Sequence, residues 1–124
     1  MPSMRRLALL VWLLVSSSSR SSSRDKLTIG ELRELAARMG FPDPRLAAAI
    51  AMAESSGIVK NVGDRHLGVS IGLWQINMRA HPQFSRSELE TEEGNARAAL
   101  VVSRNGTNWR PWSAYRERKH VPFL

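Results

Sequence analysis

Leu46-Ala-Ala-Ala-Ile-Ala-Met-Ala-Glu54-Ser-Ser-Gly57 is the stretch from which this chain is best read. Its apolar residues fall on nearly every helical face, with Leu46, Ala49, Ile50 and Ala53 in one continuous stripe. A helix this apolar is expected to be largely buried. Asp43 is placed to cap it, and Pro44 falls at the first helical position, where its missing N–H costs nothing. Gly57 is expected to stop it in a left-handed conformation. Glu54 then stands in the last turn, where the helix macrodipole is negative and apolar neighbours exclude water. Both effects disfavour the ionised form and raise the proton affinity of the carboxyl. A carboxylic acid still protonated near neutral pH is what glycoside cleavage needs to protonate a leaving oxygen. The plain alternative is a solvated glutamate on an exposed helix face, since charged residues are mostly exposed.

Around this helix the sequence predicts a mainly α domain. Thr28-Ile-Gly-Glu31 has the form of a capping box. It opens a helix with Leu32, Leu35, Ala36 and Met39 on one face and Gly40 as its stop. Phe41-Pro-Asp-Pro44 turns the chain into the Glu54 helix. Glycines at 57, 63 and 68 and an Asn61-Val-Gly-Asp64 turn predict a loop or short irregular hairpin over 57–71, flanking a cleft. Residues 72–78 are expected to form a short element beneath that cleft. Thr91-Glu-Glu caps a further helix through Asn95 to Ser103, ended by Asn105-Gly106, and a last short helix begins near Pro111 and carries Trp112 and Tyr115. Glu88, Glu90, Glu92 and Glu93 read as solvated residues complementing a helix dipole. Trp74, Trp109 and Trp112 are expected in the core.

Composition bounds the function. A chain of 124 residues with 43% hydrophobic content can bury one modest core. With no cysteine there is no disulfide framework, thiolate metal site or cysteine nucleophile. His66, His81 and His120 lack ligand-like spacing and read as surface or capping residues, so no metal or other cofactor is expected. Of 18 basic residues, Arg5, Arg6, Arg20 and Arg24 precede every acid; the remaining 14 against 11 acids leave the domain from Asp25 onward at only +3. A nucleic-acid partner would call for a concentrated basic stripe and a recognition motif, and neither is present. A mild positive balance suits an anionic cell-wall polymer.

The first 24 residues read as a targeting segment and linker, distinct from a domain over 25–124. Arg5-Arg6 precede the nine apolar residues Leu7–Val15, and Ser16–Ser19 follow, the order of a secretory signal. The stretch is too short to span a bilayer comfortably, and a disordered leader is the alternative. Residues 16–24, seven serines and two arginines, are low-complexity linker.

Four segments, in order, carry a family resemblance. They are Ala51-Met-Ala-Glu-Ser-Ser-Gly57, Gly72-Leu-Trp-Gln-Ile-Asn77, Asn95-Ala-Arg-Ala-Ala99 and Trp109-Arg-Pro-Trp-Ser-Ala-Tyr115. Residues 29–116 thereby resemble the lysozyme-like fold of the soluble lytic transglycosylase superfamily, in a compact form similar to domains of phage tail proteins and wall lysins. The resemblance implies cleavage of peptidoglycan glycan strands by a monomer, secreted or virion-associated, that leaves a 1,6-anhydro end. It implies Glu54 as general acid and then base, Gln75 as a cleft hydrogen-bonding residue, and Tyr115 with its hydroxyl near Glu54. Ser70 is a further candidate for a cleft hydrogen bond. The chain departs from the family pattern after Tyr115, where Arg116-Glu-Arg118 stands in place of Asn-Ala-Gly.

Two other readings stay open at this point. A hydrolytic muramidase uses two carboxylates, about 5–5.5 Å or about 6.5–9.5 Å apart according to stereochemistry. Asp64 is the best second candidate, with an aspartate bonded to its own turn as the alternative. The fold could also serve as a wall-binding or phage structural module without chemistry, since fold alone does not prove activity.

Overall fold

The computed structural model describes residues 24–63 and 65–124. The apolar leader at 7–15 and Asp64 therefore lie outside the described residues.

Helix α1 spans Ile29–Met39 and begins as the sequence predicts. The Thr28 hydroxyl accepts from the Glu31 N–H, and the Glu31 carboxylate accepts from the Thr28 N–H. It ends at Gly40 with φ 94°. Leu32, Leu35 and Ala36 are buried against helix α2, Pro44–Ser55, whose N-cap Asp43 accepts from the Leu46 N–H. Ala47 through Ala51 are all fully buried, so α2 is the central element of the core. It packs against α1, helix α5 (Ser113–Arg116) and the terminal 3-10 turn Val121–Phe123.

After α2 come three two-residue strands, β1 (Val62–Gly63), β2 (Ser70–Ile71) and β3 (Ile76–Asn77), in one antiparallel sheet of that order. The register sets Val62 opposite Ile71 and Ile71 opposite Ile76, with Gly63, Ser70 and Asn77 as the other row. Alternation thus sends the isoleucines into the core and Ser70 and Asn77 toward the groove. The expected hairpin over 57–71 is present as β1 and β2, and β3 extends it. Helix α3, Arg86–Leu89, is an element the sequence reading did not anticipate. It carries a second capping box, Ser85 with Glu88. Its Leu89 is fully buried. Helix α4 follows over Glu92–Val102 with Thr91 as its cap.

The aromatic residues lock the second half onto α2. Trp74 is fully buried, and its indole N–H donates to the Ala47 carbonyl at 3.0 Å. Phe41 stacks on Trp74 and on Trp109, with centroids 5.5 and 5.7 Å apart. Trp112 donates from its indole N–H to the Trp74 carbonyl at 2.7 Å, whereas the buried Trp109 indole N–H has no hydrogen-bond partner among the described residues. The molecule is mainly helical with a small three-stranded antiparallel sheet, as expected of a small lysozyme-like domain. Among the described residues no helix is long and apolar enough to cross a membrane.

Candidate active site

The end of α2 differs in detail from expectation. The left-handed cap is Ser56, at φ 56°, and Gly57 follows at φ 81°. Gly57 is fixed for another reason. A Cβ there would meet the Leu27 carbonyl oxygen at 2.2 Å, where the Leu27 N–H and the Gly57 carbonyl also bond at 2.8 Å. Ser55, buried beneath the cap, donates its hydroxyl to the Ala51 carbonyl and accepts from the Gly57 N–H. The carboxylate one residue earlier is thereby carried on a rigid terminus. Replacing Ser56 by Gly removes the left-handed strain of a non-glycine residue. The variant is expected to gain about 0.5–1 kcal/mol, seen as a higher urea midpoint with an unchanged slope.

Glu54 itself is half-buried and opens into a groove of about 400 Å³. That volume lies within the span of about 300–1,000 Å³ usual for small-ligand sites. Ser70, Gln75, Ile76 and Asn77 line it from the sheet and its turn, and Pro111, Trp112 and Arg116 line it from α5 and the segment before it. Leu67 is 68% exposed at the rim. Glu54 is the one carboxylate among the described residues that line the groove. The acids at 88, 90, 92 and 93 lie elsewhere: Glu88 caps α3, and Glu90 and Glu93 pair with Arg86 and Arg38.

The turn 72–75 explains why Gly-Leu-Trp-Gln stands in front of Ile76-Asn77. Gly72 has φ 87°, and a Cβ there would lie 2.1 Å from the Asn95 amide nitrogen. Leu73 and Trp74 are fully buried. Gln75, itself at φ 49°, donates from Nε2 to the Asn61 and Gly72 carbonyls, both at 3.0 Å. Both amide N–H bonds are spent within the loop, so what Gln75 can offer a sugar is its carbonyl oxygen. Asn95 completes the arrangement from α4. Its Oδ1 accepts from the Trp74 N–H at 2.7 Å, and its Nδ2 donates to the Ile71 and Leu89 carbonyls at 2.8 Å each. Two segments of the family resemblance, 72–77 and 95–99, are therefore one buried interaction that holds the groove wall.

The structure brings together three of the sequence candidates, Glu54, Gln75 and Ser70. Ser70 belongs to a strand rather than a turn and is 2% exposed, with its hydroxyl 3.3 Å from the Asn77 Nδ2 that donates to it. Tyr115 stands on α5, which packs against α2. It lines a neighbouring recess and stacks on His120, ring centroids 5.1 Å apart. Trp112 caps α5 instead of lying within it. Of the histidines read as surface or capping residues, His66 is exposed, while His120 is buried at the cap of the last 3-10 turn. His81 is half-buried and lines the groove. His81 and Arg116 are groove residues that sequence reasoning missed, because an isolated His before Pro82 and an Arg among other charges carry no periodic or motif signal. No group of three or more His, Asp or Glu positioned to hold a metal occurs among the described residues.

Comparison with known proteins gives one finding. No curated protein and no solved structure matches the chain. Residues 33–114, from α1 through the start of α5, match the lysozyme-like domain family. That span contains Glu54, the groove wall and the Asn95 anchor, and the chain belongs to the lysozyme-like domain family.

Proposed function

We propose that this protein cuts the glycan strands of peptidoglycan at the MurNAc–GlcNAc β-1,4 bond by the non-hydrolytic route, with Glu54 as acid and base. Family membership supports, more generally, a glycosidase or transglycosylase acting on peptidoglycan. The observation that carries the finer reading is the placement of Glu54. It lines the groove from the last turn of a buried helix. A single carboxyl suffices for this chemistry. The Glu54 proton passes to the glycosidic oxygen as the C1–O bond breaks. The muramyl 6-hydroxyl then attacks C1 and yields its proton to the Glu54 carboxylate, closing a 1,6-anhydro ring and consuming no water. Gln75 and Ser70 would position the sugar, and Tyr115 would act from the adjoining recess. Such an enzyme works as a monomer outside the cytoplasm, secreted or virion-borne.

Digestion of purified peptidoglycan in water enriched in heavy oxygen separates the routes. The new muramyl ends are expected to carry no label and to be lighter than the reducing sugar by one water. Label in a reducing end would overturn the lytic route. It would assign hydrolysis, with Asp64 the next residue to replace.

A further inference from the structure

Leu67 sets the rim of the groove apart from its floor. Of the large apolar side chains exposed among the described residues, it is the most exposed, at 68%, and it alone lines the groove. Ile76 and Trp112, which also line the groove, are buried. A lone exposed leucine needs no explanation by itself. The segment that carries this one is different, because it is fixed from below.

Leu67 ends the 3-10 turn Arg65–Leu67, just before β2. Asn77 donates from Nδ2 to the Leu67 and Gly68 carbonyls at 3.2 Å each. Its Oδ1 accepts from the Arg79 and Ala80 N–H groups at 3.0 Å each, so one side chain ties the turn to the far side of β3. The Met78 N–H donates to the Val69 carbonyl at 2.9 Å. Gly68 is buried at φ 97°, and a Cβ there would lie 2.8 Å from the Arg79 Cβ. These contacts order the backbone at Leu67 while its side chain faces water. Ordering of that kind costs conformational entropy and recovers no apolar burial. A ligand that covers the side chain recovers it, and meets a contact already held in place.

The inference rests on the reading of the groove as a glycan site. A β-1,4-linked pyranose carries its hydroxyl and amide groups around the ring edge and C–H bonds on its two faces. Ser70, Gln75 and Asn77 in the groove suit the edge, and Leu67 suits a face. We infer that Leu67 is a substrate-contacting residue that covers the C–H face of a sugar ring in the groove. It sets affinity for the glycan strand through apolar area rather than through charge.

The test is calorimetric titration of the 124-residue chain, in the Glu54→Gln background, with soluble glycan strands freed of their peptides. Leu67→Ala and Leu67→Asn are each expected to weaken binding about tenfold, the size of covering about 60 Å² of apolar surface. Leu67→Met keeps that surface and should bind within about twofold of the parent. The tenfold ratio should be the same at low and high salt, since no charge is exchanged. The side chain is exposed, so the urea midpoints of all three variants should match the parent's. A folded Leu67→Asn chain that binds as the parent does would overturn the assignment. So would a loss that Leu67→Met shares in full, which would place the cause in the turn and not in apolar area. A Glu54→Gln parent that binds no strand would overturn the glycan reading of the groove, and this inference with it. Strand binding without fragment release by the chain with Glu54 intact would overturn cleavage alone.

Discussion

Glu54→Gln is expected to lower the release of soluble glycan fragments from purified peptidoglycan by about 10²–10⁴-fold, the usual contribution of a positioned general acid–base. The amide keeps the shape of the side chain and can accept a hydrogen bond, but it can neither give a proton to the glycosidic oxygen nor take one from the 6-hydroxyl. Fold stability should change by less than about 1 kcal/mol, because glutamine keeps the size of this half-buried side chain. The contrast is the point of the prediction: activity collapses while the urea midpoint holds. A loss of activity that tracks a loss of fold would make Glu54 a structural residue.

Asn95→Ala is expected to produce the largest loss of stability, about 3–4 kcal/mol, because it orphans three buried main-chain groups at once. The Trp74 N–H loses its acceptor, and the Ile71 and Leu89 carbonyls lose their donor, in a site with no solvent exposure at Asn95. For a domain of this size the thermal midpoint should fall by about 15 °C. Asn95→Asp should be no milder than Ala. It can still accept from the Trp74 N–H, but it then turns its second oxygen toward two carbonyl oxygens and brings a charge into the core. Catalytic activity per folded molecule should also fall in the Ala variant, since the turn that carries Gln75 and Asn77 loses its anchor. Thermal unfolding followed by circular dichroism checks the first part, and activity normalised to the folded fraction checks the second.

Much of this was legible in the sequence because the governing effects are local. Thr28 with Glu31, Asp43 with Pro44, and Thr91 before its glutamates are helix starts whose chemistry lies within four residues, and all three open helices in the structure. The burial of α2 follows from its apolar residues alone. The stop of α2 was less legible, since a serine in a left-handed cap is tolerated only when the Ser55 hydrogen bonds and the Leu27 contact hold the turn. Helix α3 is only four residues long, too short to show a periodic pattern, though Ser85 and Glu88 marked its start. The link between Gly72 and Asn95 spans 23 positions and depends on tertiary packing, so the two segments read as separate signs of one family. The resemblance sets the Tyr115 hydroxyl near Glu54; in the fold Tyr115 stacks on His120 and lines a recess with three arginines. That placement follows from how α5 and the terminal turn meet, and no local pattern encodes it.

The most direct test of glycan cleavage by Glu54 is mass spectrometry of the soluble fragments released from purified peptidoglycan by the 124-residue chain, with Glu54→Gln alongside. Fragments ending in 1,6-anhydromuramyl residues, present with Glu54 and lost in the variant, are the predicted result. A folded wild-type chain that releases no fragments, or a Glu54→Gln chain that releases them equally, would contradict it.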